Sequence, residues 1–216
     1  YHTVRHHVDI YGYFVSKILK SLISAGFEAD NITLVGHSVG AHIAALGAKY
    51  YNEYLVENHS MISQLIAIDP ALMCKASDRH IHPNITQRVV VLHGEGNIFG
   101  MRERCGDLDI YPNGIGYYPR RRLQPGCESA LCSHMYAFVM FMETLIEGVK
   151  IPAVQCDSWM QFRAAQCNYS ETIALGITYP ETAKGLYFCM TQKGPPFTYM
   201  EHGLRYIVKG SEVMEK

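Results

Sequence analysis

The sequence predicts an α/β fold, and three observations carry that prediction. Leu65-Ile-Ala-Ile68 and Arg88-Val-Val-Val-Leu92 are continuously apolar rather than alternating, the pattern of strands covered on both faces in a parallel sheet. Segments with apolar residues at helical spacing stand before, between and after these runs. With 216 residues, 48 % hydrophobic and 18 % charged, the chain is long enough for one core of ordinary size and short for two. Taken in order, Val8, Tyr11, Val15, Ile18 and Leu22, with Leu19 beside them, predict an amphipathic helix that stops at Gly26. Ile32-Thr-Leu-Val35 reads as a strand, and Ala41 to Tyr51, rich in helix formers, as a helix one tight turn later. From Gly94 to Cys132 the abundance of Gly, Pro, Arg and Asp predicts a long functional loop region. Tyr136 to Ile146 returns to a helical pattern. Beyond it, the sequence predicts a disulfide-tied segment through Cys156-Asp-Ser-Trp159, a strand at Gly185-Leu-Tyr-Phe188 and a polar tail, so the domain is set at residues 1–195 and the tail at 196–216.

Charge excludes some partners. Nineteen Lys and Arg against twenty Asp and Glu leave a net charge of -1, so no global field holds a nucleic acid or an anionic membrane. No apolar run approaches the length of a membrane span; the richest is Met135 to Met142. Seven cysteines are many for a reducing compartment, and the pairs Cys127/Cys132 and Cys156/Cys167 lie close enough in sequence to staple loops. Asn31, Asn58, Asn84 and Asn168 each head a glycosylation sequon. Tyr1 opens the chain without the regions of a signal peptide, so the secreted, extracellular location that cysteines and sequons favour requires an N-terminus that is not the gene's first residue.

The chemistry centres on Gly36-His37-Ser38-Val39-Gly40, between a predicted strand and a predicted helix. Glycines flank a serine in this way when the chain turns so sharply that Cβ atoms would clash. The turn lifts the Ser38 hydroxyl to the carboxyl edge of the sheet, and the Val39 N–H at the helix start can face an oxyanion. A serine hydroxyl needs a base oriented by a carboxylate, usually supplied in the chain order Ser, acid, His. Asp69 follows the strand Leu65 to Ile68 and Pro70 stops that strand, so this carboxylate too is expected at a strand's carboxyl end. For the base, spacing leaves His134, beside Cys132 at a helix start, and His93, at the end of a strand.

These segments resemble the animal pancreatic-lipase-like family, and more closely its insect members and sn-1 phospholipases. Gly36 to His42 is similar to the family's nucleophile segment and Ile68-Asp69-Pro70-Ala71 to its acid segment. Asp109 to Gly114 resembles its loop signature, and Pro125-Gly-Cys127 with Cys132-Ser-His134 its lid disulfide and histidine. Cys156-Asp-Ser-Trp159 with Cys167, then Gly185-Leu-Tyr187, resembles its closing segment. The resemblance implies an α/β-hydrolase fold and a secreted carboxylic ester hydrolase acting on lipids, with Ser38 as nucleophile, Asp69 as acid and His134 as base. It also implies transient contact with a lipid interface and no cofactor, and it leaves His37, His42 and His93 outside the triad.

The sequence also departs from that pattern. The family's N-terminal strands, with the histidine-glycine loop that donates a second oxyanion N–H, have no counterpart, which predicts a sheet short of strands at one edge and exposed apolar surface there. The vertebrate calcium-binding run is not recognisable in Lys75 to Gln87, so no metal is expected. Only Glu128 to Leu131 separate Cys127 from Cys132, too few for an amphipathic lid helix, which predicts an open cleft and little activation at interfaces. Arg102, Arg104 and Arg120 to Arg122 could hold a lipid phosphate bidentately, but the favoured expectation is a solvated face paired with Glu103, Asp107 and Asp109. Cys74 and Cys105 are expected to pair, leaving Cys189 as a buried odd thiol. The competing reading is a lipid-binding or storage protein without turnover, since insect yolk proteins share this fold; against it, all three triad residues are present here.

Overall fold

A computed structural model describes residues 7–53, 60–73, 80–115 and 123–208. Seven strands form one sheet: β1 Thr33–His37, β2 Gln64–Ile68, β3 Arg88–Leu92, β4 Leu108–Pro112, β5 Pro152–Gln155, β6 Asn168–Ala174 and β7 Gly185–Cys189, in the order β1-β2-β3-β4-β7-β5-β6. The first five positions are parallel to one another, whereas β5 runs antiparallel to both β7 and β6. Register aligns His37 with Ile68 and Ile68 with Leu92. The residues that follow these strands, Ser38, Asp69 and His93, therefore leave the sheet side by side at its carboxyl edge.

Helices cover both faces, as the continuous apolar runs require. Successive side chains of a strand point to opposite faces. On one face Leu65, Ala67, Val89 and Val91 meet Ala41, Ala44, Ala45 and Ala48 of α2, Val39–Asn52. On the other, Ile66, Ile68, Val90, Leu92 and Ile110 meet Tyr136, Ala137, Met140 and Phe141 of α3, Ala130–Glu143. Each fully buried Val, Leu or Ile side chain of this kind stabilises by about 1.5–3 kcal/mol.

Helix α1, Val8–Ser24, forms where the periodicity places it but buries a different stripe. Val8, Gly12, Ser16 and Leu19 face inward, while Tyr11 and Ile18 are exposed together with Ile10 and Phe14. Close approach to α2 decides this: a Cβ on Gly12 would lie 2.5 Å from Leu46 Cβ, and one on Gly47 would lie 2.3 Å from Val15 Cγ1. Small residues, not the largest apolar ones, define the contact. Gly26, at φ +92, ends the helix as expected, with Phe27 N–H bonding back to Leu22 O at 3.1 Å.

Strand β4 lies inside the region expected to be loop. Its sequence, Leu108-Asp-Ile-Tyr-Pro112, carries a carboxylate in mid-strand and closes on proline, both signals against a central strand. Burial of Asp109 is offset by His93, just past the end of the neighbouring strand β3, which no local pattern reveals. Strands β5 and β6 were likewise not expected; β6 is mostly exposed and lies at the sheet edge. Short helix α4, Trp159–Arg163, sits between them, with Ser158 Oγ accepting from Gln161 N–H at 3.2 Å and the Cys156–Cys167 disulfide spanning it. Residues 196–208 pack back on the domain: Phe197 and Leu204 are buried, and Met190 N–H donates to Gly203 O at 2.8 Å. Among the described residues β1 has a strand neighbour on one side only, and its Val35 is exposed. No described helix is long and apolar enough to cross a membrane.

Candidate active site

The turn after β1 has the geometry its glycines suggest, with one difference. Ser38 stands at φ 57, ψ -125, outside the regions comfortable for a side-chain-bearing residue. A Cβ on Gly36 would fall 2.5 Å from Gly40 O and 2.6 Å from Ala41 Cα, so only glycine lets β1 pass beneath the first turn of α2. At Gly40, by contrast, a Cβ would meet no described atom within 4 Å; the expected clash is confined to the strand side of the turn, because the helix carries Gly40 away from the sheet. Ser38 N–H donates to Ile68 O at 3.0 Å and Ser38 O accepts from Ala71 N–H at 3.2 Å. The strained residue is thus stitched to the chain on both sides of Asp69. Ser38 is half-buried, and Val39 is the first residue of α2, where N–H groups lack helical acceptors.

Asp69 is fully buried and its carboxylate is saturated with donors. Oδ1 accepts from Gly94 N–H at 2.8 Å, and Oδ2 accepts from Glu95 N–H at 3.0 Å and from His134 Nδ1 at 2.7 Å. A carboxylate facing Nδ1 fixes the proton there and leaves Nε2 as the basic nitrogen of the ring. Two glycines make room for the carboxylate: a Cβ on Gly94 would lie 3.0 Å from Asp69 Oδ2, and one on Gly100 2.2 Å from Oδ1.

His134 sits in the first turn of α3 and is held from several directions. Ser129 caps the helix, its Oγ accepting from Cys132 N–H at 3.1 Å, and the Cys127–Cys132 disulfide closes the approach to it. Ala130 and Leu131 already belong to α3, so the stretch between the cysteines outside the helix is Glu128 and Ser129 alone. Next to His134, Ser133 Oγ accepts from Gln124 N–H at 2.9 Å; Gln124 Nε2 donates to Gly94 O at 2.9 Å, and Asn113 Nδ2 donates to Gln124 Oε1 at 2.7 Å. Buried amides therefore tie the histidine's helix to the loop that grips Asp69. The His37 ring lies 4.6 Å from the His134 ring and its Nε2 donates to His134 O at 3.2 Å. Partial burial, and after it the electrostatic influence of the neighbouring His134 ring, lowers the His37 pKa.

The structure accordingly brings Asp69 and His134 into direct contact and sets Ser38 beside Asp69 on the same sheet edge. The sequence pattern of the family described as Lipase matches residues 1–180. The chain belongs to the lipase family. Among curated relatives it is 27 % identical over 156 residues to lipase member H of Oryctolagus cuniculus, covering 71 % of this chain and 34 % of the relative. It is 26 % identical over 167 residues to phospholipase A1 member A of Bos taurus, covering 72 % and 34 %, and 25 % identical over 183 residues to pancreatic triacylglycerol lipase of Myocastor coypus, covering 72 % and 36 %. The chain spans about a third of the length of these relatives. Its mostly parallel sheet between helices is the α/β-hydrolase fold of the lipase family.

Within this lipase-family fold His93 and His42 are committed elsewhere. His93 is fully buried, stacked on Tyr111 at 4.0 Å, with Nδ1 3.0 Å from Met101 O and Nε2 2.9 Å from Asp109 Oδ1. Both of its nitrogens are engaged away from Ser38. His42 Nε2 donates to Ala71 O at 2.8 Å and anchors α2 to the segment after Asp69. Among the described residues Asp107 and Asp109 pair with no arginine: Asp107 Oδ2 accepts from Val89 N–H at 2.8 Å, and Asp109, buried in β4, serves His93 and the Gly106 N–H. Arg120 to Arg122, Asn58 and Cys74 lie outside the described residues. Cys189 is buried with its thiol pKa pushed up to about 12 by desolvation. Among the described residues no group of three His, Cys, Asp or Glu side chains is placed to hold a metal ion. Sequence reasoning placed Gly94 to Met101 in a functional loop but missed that the Gly94 and Glu95 N–H groups hold the Asp69 carboxylate, for which Gly94 and Gly100 were the local signal.

Proposed function

We propose that this chain carries the catalytic site of a secreted lipid ester hydrolase, with Ser38 as nucleophile, His134 as general base and Asp69 as the carboxylate that orients it. The observation that carries this reading is the buried 2.7 Å contact between Asp69 Oδ2 and His134 Nδ1 on the sheet edge where Ser38 occupies its strained turn. In the proposed cycle His134 Nε2 takes the Ser38 proton as Oγ attacks the ester carbonyl, and the Val39 N–H faces the oxyanion. The imidazolium, steadied by Asp69, then protonates the leaving alcohol. Water activated by the same nitrogen hydrolyses the acyl-enzyme and restores Ser38. The relatives named as lipases and a phospholipase A1 support carboxylic esters of glycerolipids as the substrate class, with triacylglycerols or the sn-1 ester of phospholipids as the specific targets.

Two further features support the reading. Leu131, Met135, Val139 and Met142 form an exposed stripe along α3, continued by Leu145 and Ile146, and it starts beside His134; a surface of this kind suits transient contact with a lipid interface. Two disulfides, and sequon asparagines exposed at positions 31, 84 and 168, support export. The short span between Cys127 and Cys132 supports an open cleft with little interfacial activation. A fluorophosphonate probe tests the proposal. Labelling that Ser38→Ala abolishes supports it; folded protein that takes no label, yet binds lipid, favours the storage reading instead.

A further inference from the structure

Glu95 has no part in the catalytic cycle just described, yet it is 2 % exposed and its carboxylate gathers four backbone donors. A single oxygen, Oε2, accepts from Asn97 N–H at 3.0 Å, Ile98 N–H at 2.6 Å, Phe99 N–H at 2.9 Å and Gly100 N–H at 3.4 Å. Successive N–H groups aimed at one point form a cradle for an anion. Here the chain supplies that anion itself, and apart from the antiparallel bridge of Gly100 to Ala71 the segment it closes has no regular secondary structure.

The same segment encloses Asp69. Gly94 and Glu95 give two of the three donors to its carboxylate, and Gly100 presses on Oδ1 closely enough to exclude a methyl group. Leu72 N–H donates to Phe99 O at 2.6 Å and Met101 N–H to Pro70 O at 2.7 Å, fixing the chain immediately after Asp69. The Phe99 ring lies 5.6 Å from the His134 ring. We propose that Glu95 is a positioning residue for the triad: by gathering the 97–100 amides it fixes the loop that sets Asp69 against His134. Resting on the triad reading above, this assigns Glu95 an effect on rate rather than on substrate binding, since the partners of its carboxylate are amides of its own loop.

The test compares Glu95→Ala, Glu95→Gln and Asp69→Asn in the full chain. Two readouts serve: the saturation kinetics of fluorophosphonate labelling, and the low-field proton resonance of His134 Nδ1–H, which needs no turnover. In Glu95→Ala the maximal labelling rate is expected to fall about tenfold to a hundredfold, as for a displacement of up to an ångström at a catalytic group, with the half-saturating probe concentration unchanged. The His134 resonance is expected to shift or broaden. Glu95→Gln keeps an acceptor oxygen for the four amides and should restore most of the rate, and it carries the test if Glu95→Ala does not fold: a Gln variant whose resonance and rate were both lost would contradict an acceptor role. Wild-type rate and resonance in Glu95→Ala, with Asp69→Asn impaired, would overturn the role of Glu95 alone. Should Asp69→Asn also label normally, the triad reading itself falls.

Discussion

Gly100→Ala places the strongest demand on the geometry around Asp69. The added Cβ would lie 2.2 Å from Oδ1, 2.6 Å from Cγ and 2.7 Å from Oδ2, so the carboxylate or the loop must retreat by about 1 Å to reach ordinary contact. Neither can do so freely, because Asp69 is held by Gly94 N–H, Glu95 N–H and His134 Nδ1, and the loop is held to Pro70 and Leu72. Overpacking of this kind costs about 1–3 kcal/mol, which in a chain of this size lowers Tm by about 2–4 °C per kcal/mol. Displacing the acid by an ångström lengthens the 2.7 Å contact that orients His134, and an error of that size slows the chemical step by about a hundredfold, or about 2.7 kcal/mol. Differential scanning fluorimetry reads the first effect and fluorophosphonate labelling of Ser38 the second. Gly40→Ala is the internal control, since its Cβ meets no described atom within 4 Å and the helix gains by about 0.5–1 kcal/mol from alanine. If Gly100→Ala kept both the Tm and the labelling rate of the parent, the loop would not be what holds Asp69, and the account of the site would be wrong.

Ser38→Gly should be more stable than Ser38→Ala by about 1 kcal/mol, because it relieves the backbone at φ 57 while both lose the proposed nucleophile; equal Tm values would refute the strain. Reducing or deleting the Cys127–Cys132 bridge should cost about 2 kcal/mol from its short loop and slow labelling further by loosening the start of α3, against about 3 kcal/mol and no effect on labelling for Cys156–Cys167. The Cys189 thiol, with its pKa at about 12, should resist alkylation in the native protein and react only on unfolding, as peptide mapping would show. Because that folded pKa exceeds the unfolded value, the contribution of Cys189 to stability is full below the unfolded thiol pKa and is lost as pH rises above it. His37 has the opposite sense. Its folded pKa lies below the ordinary 6.5, so the unfolded chain binds more protons as pH falls past that value and stability declines there; a plot of Tm against pH should flatten in that range for His37→Gln.

Local chemistry was enough for the elements whose signals are local. The glycine at position 36, the apolar runs of β2 and β3 and the stop at Gly26 each answer a constraint met within a few residues, so the strand, turn and helix around Ser38 were legible. Strand β4 was not, because its buried Asp109 is tolerable only beside His93, sixteen positions earlier. The stripe predicted for α1 failed for a related reason: the helix packs through Gly12 and Ser16, and what makes small residues the right surface is the shape of α2.

The sequence by itself determined the α/β class, the order of Ser38, Asp69 and His134 along the chain and the cysteines that staple its loops, since residue type and spacing dictate these. Spacing left both His93 and His134, the family resemblance pointed to His134, and tertiary structure is what sets the His134 ring against Asp69. His93 and His134 are each paired with a buried aspartate, at 2.9 Å and 2.7 Å, and only strand register and the placement of α3 separate the two pairs. Hydrogen bonds from loop amides to Asp69 belong to the same class: backbone N–H groups are common to nearly every residue, so their convergence on one carboxylate leaves no mark in the amino-acid code.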